Sequence, residues 1–343
     1  MRSFFRYFFL SDFSKSLRLL IISAFLLIFP VLKAQDIQLA LYHYHPLLIN
    51  PAYTGSFIGD WRLSAGYRNQ RVITAQPYIT AITGFDKQFF LLNQSLGAGV
   101  YLVNDQSGIG GLTFTKVYGS IAYEKDFNNN IIGVGFQAGF VTGNVNDWGV
   151  WDNTAGTFTG SNGEIYFGEK THFIDVNMGL SWRRKFNTLL PKVGISLMHL
   201  NNPNISFFEG KEKQGIQMIL DSRFDWDINE KIMLSPIILL KTQRGASQSV
   251  AGVDIAYTLQ GKRSPVKSVF GGIHLQNGII ENASSLLLQL GTRVKRIDIV
   301  LGYENNLGDF GKSSGTTGAF EIALLYNSIS TVLNTYSIPC ERY

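Results

Sequence analysis

Residues 174–183 read Ile174-Asp175-Val176-Asn177-Met178-Gly179-Leu180-Ser181-Trp182-Arg183, and every second side chain is apolar. Successive side chains of an extended strand point to opposite faces. Ile174, Val176, Met178, Leu180 and Trp182 therefore share one face, and Asp175, Asn177, Gly179, Ser181 and Arg183 share the other. One face is wholly apolar and ends in an aromatic, while the other is polar or glycine. A helix would scatter the same residues around its axis.

The pattern repeats along the chain. Ile132, Val134, Phe136, Ala138 and Phe140 alternate with Gly133, Gly135, Gln137 and Gly139. Leu96, Ala98, Val100 and Leu102 alternate with Ser95, Gly97 and Gly99, and Phe320, Ile322, Leu324 and Tyr326 with Ala319, Glu321 and Ala323. Such segments number about fourteen, each near the ~10 residues that a tilted strand needs to cross a bilayer. They centre near Ala65, Thr80, Gly99, Tyr118, Gly135, Asn177, Ser196, Ser222, Ile237, Asp254, Gly271, Leu287, Leu301 and Ala323. A soluble β-sandwich also alternates. An even count filling one uninterrupted series, with Trp and Tyr at strand ends, instead predicts an all-β fold: a transmembrane, antiparallel, up-and-down barrel over residues 60–328.

Composition agrees. Of 343 residues, 16% are charged against the ~25% usual in soluble domains. With 35 glycines, 13% aromatics and a mean hydropathy of +0.07 the chain is neither disordered nor a helical membrane protein. The net charge of +5 comes mostly from residues 1–34, where Arg2, Arg6, Lys15, Arg18 and Lys33 outweigh Asp12 by 4, leaving +1 downstream. A basic nucleic-acid footprint is not supported. Residues 1–34 read as a signal peptide: a basic start, an apolar run from Leu19 to Leu32 broken by Pro30, and Ala34 before Gln35. The single Cys340, in the 329–343 tail, rules out a disulfide framework or a cysteine-rich metal site.

The connections fall into two classes. Stretches 125–130, 183–187, 227–231, 261–267 and 294–296 are short and basic, whereas 142–170, 201–214, 276–283 and 305–317 are long and rich in Gly, Asn and Ser. In outer-membrane barrels short turns face the periplasm and long loops the exterior, so both termini are expected in the periplasm. Residues 35–59 are not strand-like. Asn50-Pro51 and Thr54-Gly55 are turn chemistry around an aromatic. The segment is expected at the periplasmic mouth, or in the lumen as a plug in the space left by Gly133, Gly135, Gly139 and Gly179, or as a plain lead-in to the first strand.

The run Asn50-Pro51-Ala52-Tyr53-Thr54-Gly55, followed by Tyr67-Arg68-Asn69-Gln70, Asn104-Asp105 with Gly108, Gly194-Ile195-Ser196 with His199, and Glu321, resembles the PorP/SprF family of the Bacteroidetes type IX secretion system. Arg71 stands where that family favours Trp, and Phe320 where a His often precedes the Glu. The resemblance implies an outer-membrane barrel that assists the secretion or surface attachment of cargo such as gliding adhesins. It would do so through contacts with apparatus proteins, with cargo and with outer-membrane lipid. The partner-facing residues are then expected to be Asn50, Pro51, Ala52, Tyr53 and Gly55, with Arg183, Arg184, Lys262 and Arg263 of the basic turns. The rival is a diffusion channel or hydrophobic-solute transporter with an N-terminal plug.

Catalysis finds little support. Gly311-Lys312-Ser313-Ser314-Gly315 matches a nucleophile elbow by letters, in a Gly/Ser-rich loop without a strand–turn–helix context. Gly133, Gly135 and Ala138 mimic a dinucleotide fingerprint inside a strand. His43 and His45 lie on one side of an extended segment with no carboxylate nearby in sequence, so packing is the expected role rather than metal binding. Ser196 and His199 have odd spacing and would face opposite ways. No cofactor is expected. Arg62, Arg68, Asp105, Asp175, Asp254 and Glu321 fall on lumen positions, as a polar wall or as anchors for the N-terminal segment.

Overall fold

The computed structural model describes residues 38–70, 78–91, 94–107, 112–145, 150–152, 157–159, 170–207, 210–259, 264–278, 284–307 and 318–331. Residues 1–34, Lys262, Arg263, the Gly311–Gly315 run and Cys340 lie outside them.

Alternation produces strands throughout. They are β1 (Trp61–Gln70), β2 (Tyr78–Leu91), β3 (Gln94–Ser107), β4 (Leu112–Phe127), β5 (Asn130–Val145), β6 (Val150–Asp152), β7 (Thr157–Thr159), β8 (Lys170–Arg184), β9 (Leu189–Met198), β10 (Gln217–Asp227), β11 (Ile232–Gln243), β12 (Ala246–Thr258), β13 (Val266–Gly278), β14 (Ser284–Val294), β15 (Ile297–Asn306) and β16 (Ala319–Asn327). Fourteen of them form a closed antiparallel barrel in sequence order, sealed by β1 against β16; β6 and β7 make a separate two-stranded hairpin. Each expected strand centre falls within one of the fourteen. The 142–170 stretch differs from expectation: β5 continues to Val145, and β6–β7 lie within the rest.

Buried polar positions face the lumen, together with glycines such as Gly97, Gly135, Gly179 and Gly194. In β8, Thr171, Asp175 and Asn177 are buried while Ile174 and Leu180 are exposed on the outer wall. In β5, Gln137 and Val141 are buried while Ile132, Phe136 and Phe140 are exposed. These exposed apolar faces suit hydrocarbon. Val134→Arg or Met178→Arg, on the same outer faces, is expected to cost about 2–4 kcal/mol near a bilayer midplane, read as a shift in the urea unfolding midpoint of the vesicle-inserted barrel.

One end of the barrel is finished by tight turns. Asn128 and Asn129, with φ of 53° and 67°, link β4 to β5, and Lys295, with φ of 55°, lies between β14 and β15. Asn tolerates the left-handed region better than most residues. We call this the turn end and the opposite one the loop end, although a two-residue turn, Arg244-Gly245, closes β11–β12 there.

Residues 38–60 run through the lumen. Pro46 and Pro51 each open a short helical turn, Pro46–Ile49 and Pro51–Tyr53, where a fixed φ is suited and a missing N–H costs nothing. Three apolar clusters join this segment to the wall. Leu39 and Leu47 pack with Ile82, Tyr101, Val103, Tyr118 and Val141. Tyr42 and Ile49 meet Met198, Ile219, Ile237, Leu239 and Val250. Ala40, Leu41 and Tyr44 meet Leu287, Val300 and Ala323. The lumen is thus a packed core centred on the inserted chain.

The inserted chain runs lengthwise, with the first and last described residues at opposite ends of the barrel. Gln38 accepts a hydrogen bond from Gln276 of β13 (3.3 Å) at the loop end. Thr331 lies at the turn end, bonded to Asp60 at 2.9 and 2.6 Å; these bonds hold the Asp60 carboxyl below its ordinary range. An even strand count fixes where β1 starts and β16 stops, but not where a preceding segment enters.

Candidate functional site

The Asn50–Gly55 motif is bound by the wall itself. Asn50, fully buried, donates from Nδ2 to the carbonyls of Leu180 (2.9 Å) and Ile195 (3.3 Å), bridging β8 and β9, while its Oδ1 accepts from Ala52 N–H (2.9 Å). Tyr53 donates its hydroxyl to Asp221 at 2.5 Å. Thr54 donates to the Pro51 carbonyl (2.8 Å) and shares a hydrogen bond with Ser120 (2.9 Å). Gly55, at φ +73°, donates its N–H to Asp86 (2.8 Å), and Arg62 clamps the same carboxylate at 2.7 and 2.9 Å while donating to the Tyr53 carbonyl (3.0 Å).

The motif comes this close because the wall opposite it lacks side chains. A Cβ at Gly97, Gly135, Gly179 or Gly194 would fall under 3.0 Å from Thr54, Pro51 and Ala52, Asn50, or Tyr53 respectively. The Asn-Pro-Ala-Tyr run and the lumen glycines are two halves of one contact. Asn50, Pro51, Ala52, Tyr53 and Gly55 are therefore brought together, facing the wall rather than a surface open to a partner.

Further up, Glu321 accepts from the backbone N–H groups of Ala40 and Leu41, both at 2.7 Å. Its carboxylate also pairs with Arg68, which bonds Glu304 at 2.8 Å. Gln137 donates to the Leu47 carbonyl (3.1 Å) and Ser196 to the Ile49 carbonyl (2.7 Å). Asp254 accepts from Arg223 (2.9 Å), pairs with His274 (2.7 Å) and lies 3.7 Å from His43. Three of the charged lumen residues foreseen as wall or anchor, Arg62, Asp254 and Glu321, thus meet the inserted chain. Asp86, Asp221 and Glu304 were not singled out in the sequence. The available signal was parity, since Asp86 follows Gly84 on the lumen side of β2.

Beneath the segment, at the turn end, is a cavity of about 510 Å³, lined among others by Phe57, Trp182, Arg183, Lys192, Arg223 and Arg293. Four of its lining cations are matched. Arg183 reaches Glu124 (2.8 Å) and Ser56 (2.6 Å), Lys192 reaches Asp225 (3.0 Å), Arg223 reaches Asp225 (2.6 Å) and Asp254, and Arg293 reaches Asp298 (2.5 Å). Arg183 and Arg184 diverge: the first lines the cavity, the second sits over Phe186 at 4.8 Å.

The expected parity of Ser196 and His199 is overturned. The strand β9 ends at Met198, and His199 has φ 60°, which turns its ring inward to Asp175 at 2.9 Å; Asp175 also accepts from Tyr118 (2.6 Å). Ser196 is spent on Ile49, so the two form no dyad. Among the described residues no group of three or more His, Cys, Asp or Glu is arranged for a metal ion.

A family model described as type IX secretion system membrane protein PorP/SprF matches residues 31–326. No curated protein matches. Among solved structures, the toluene transporter TbuX of Ralstonia pickettii aligns with a TM-score of 0.50 at 13% identity, over 82% of this chain and 92% of that one. The CymD monoaromatic hydrocarbon channel aligns at 0.48 and 11%, over 88% and 96%. The Pseudomonas putida toluene transporter TodX aligns at 0.43 and 10%, over 87% and 98%. At such identities the likeness to TbuX speaks for the barrel fold alone.

Proposed function

Because this chain belongs to the PorP/SprF family of type IX secretion system membrane proteins, we propose that it is a non-enzymatic outer-membrane accessory of that apparatus, acting by docking rather than conduction. The observation that carries this reading is the lumen. An inserted segment bonded to opposite walls fills it, and the remaining cavity lies at the turn end. A partner then meets a mouth framed by basic turns, of which Arg183, Arg184, Lys262, Arg263, Lys295 and Arg296 are the nearest cations in sequence. Arg183 is tied to Glu124 and Arg184 lies over Phe186 on the outer wall, so the steering charge comes from Lys262, Arg263, Lys295 and Arg296. A basic rim accelerates capture of an acidic partner in a salt-dependent way. With the turns in the periplasm, that partner is an apparatus protein, and the cargo is a secreted adhesin-like protein met at either face.

The test is affinity recovery of the tagged barrel from its native membrane, comparing wild type with a Lys262→Glu, Arg263→Glu, Lys295→Glu variant that keeps its heat-modifiable mobility. We expect type IX apparatus proteins with the wild type and their loss, with reduced cargo export, in the variant. Normal recovery and export would remove these turns from the contact. Solute conductance by the purified wild type, with no secretion defect on deletion, would favour the transporter reading.

A further inference from the structure

At the turn end, three hairpins repeat one device on the outer wall. Lys87 of β2 lies over Phe89 at 5.3 Å, Lys125 of β4 over Phe127 at 5.0 Å, and Arg184 of β8 over Phe186 at 4.8 Å. The two residues of each pair are two apart, so in a strand they share a face, and in β2 and β4 this is the face opposite buried Asp86 and Glu124. The rings are open to the surroundings, at 44%, 50% and 44% exposure. None of the three cations forms an ion pair among the described residues, unlike Arg183, Lys192, Arg223 and Arg293 inside the barrel; Lys125 also reaches the cavity rim, and Arg184 donates to Asn130 Oδ1 at 3.5 Å.

The distribution is one-sided. The barrel order β2-β3-β4-β5-β8 places the three cation–ring pairs on one arc of five adjacent strands. In register, Phe127 faces Asn130 and Asn130 faces Arg184. Two of the cation–ring pairs therefore flank β5 at about 10 Å, twice the strand spacing. Asn130 between them accepts from Trp182 Nε1 at 3.1 Å, adding an interface aromatic. On the opposite arc the described rim cations Lys231, Lys267 and Lys295 sit over no described ring.

A ring embedded at the hydrocarbon edge fixes the depth of the cation above it, where lipid phosphates lie. We propose that this arc binds the phosphate of anionic phospholipid in the leaflet that meets the turns, with Lys125, Arg184 and Lys87 as phosphate ligands and the phenylalanines as supports for them and for the acyl chains. The arc faces lipid, its three ring-supported cations have no described carboxylate within ion-pair distance, and the complementary occupant is an anionic headgroup. The inference does not depend on the secretion role.

The full mature barrel is assembled in nanodiscs of equal parts phosphatidylglycerol and phosphatidylethanolamine, and the lipids it retains are counted by native mass spectrometry. Wild type is expected to retain phosphatidylglycerol selectively. Lys87→Gln, Lys125→Gln, Arg184→Gln together should reduce that retention by roughly fivefold per charge, on the order of a hundredfold in all. Lys231→Gln, Lys267→Gln, Lys295→Gln should leave it unchanged. Phe89→Leu, Phe127→Leu, Phe186→Leu, which keeps every charge, should also weaken retention, and it decides the matter if the first variant fails to fold. Unchanged retention in the first variant, an equal loss in the opposite-arc variant, or no preference for phosphatidylglycerol in the wild type would overturn the proposal.

Discussion

Replacing Gly135 with valine is expected to dislodge the inserted segment and turn a closed barrel into a conducting one. A side chain there would need the space of the Pro51 carbonyl carbon and the Ala52 nitrogen, both backbone atoms that no rotamer change can move. Overpacking of a core costs about 1–3 kcal/mol when side chains can yield, and more when they cannot. The strand itself loses nothing, since valine is a strong strand former. The expected result is a barrel that keeps its heat-modifiable mobility and shows single-channel conductance approaching that of a deletion of residues 38–55. Gly119→Val is the control, because a Cβ there meets nothing within 4 Å. A Gly135→Val barrel that stays as closed as wild type would mean that the segment does not set the conductance.

The contrast between these glycines shows what the sequence could and could not reveal. Gly119 and Gly135 both interrupt alternating strands, and alternation alone gives each a face: Gly119 shares that of exposed Val117 and Ile121, and Gly135 that of buried Gln137. The strands and faces were legible because a period of two is a local property. That Gly135 meets Pro51 was not, because the contact joins residues far apart and depends on barrel closure. The same holds for Glu321, whose partners Ala40 and Leu41 are some 280 residues away. His199 failed for a different reason: one left-handed residue past a strand end reverses a side chain, and periodicity carries no signal for it. The hairpin of β6 and β7 has three-residue strands, too short to show alternation.

Arg68 is the other position where a single change should have a large effect. Its guanidinium stands between the Glu304 and Glu321 carboxylates, and all three side chains are at most 10% exposed. Arg68→Met preserves most of the volume and removes the cation, which leaves two like charges buried together. Breaking a buried pair in this way costs about 3–5 kcal/mol, far more than the intact pair contributes to stability. Glu321 is also the acceptor for Ala40 and Leu41, so any movement that relieves the repulsion releases the loop end of the inserted segment. The expected outcome is a lower urea midpoint for the vesicle-inserted variant, together with faster proteolysis near residues 38–41. Adding Glu304→Gln to Arg68→Met should restore much of the midpoint, because one remaining carboxylate with two backbone donors is a satisfied group. A single variant as stable as wild type, or a double variant no better than the single, would show that the three charges do not act as a unit. The loop end of the inserted segment would then be held by the apolar clusters around Leu39, Leu41 and Tyr42 rather than by the charges.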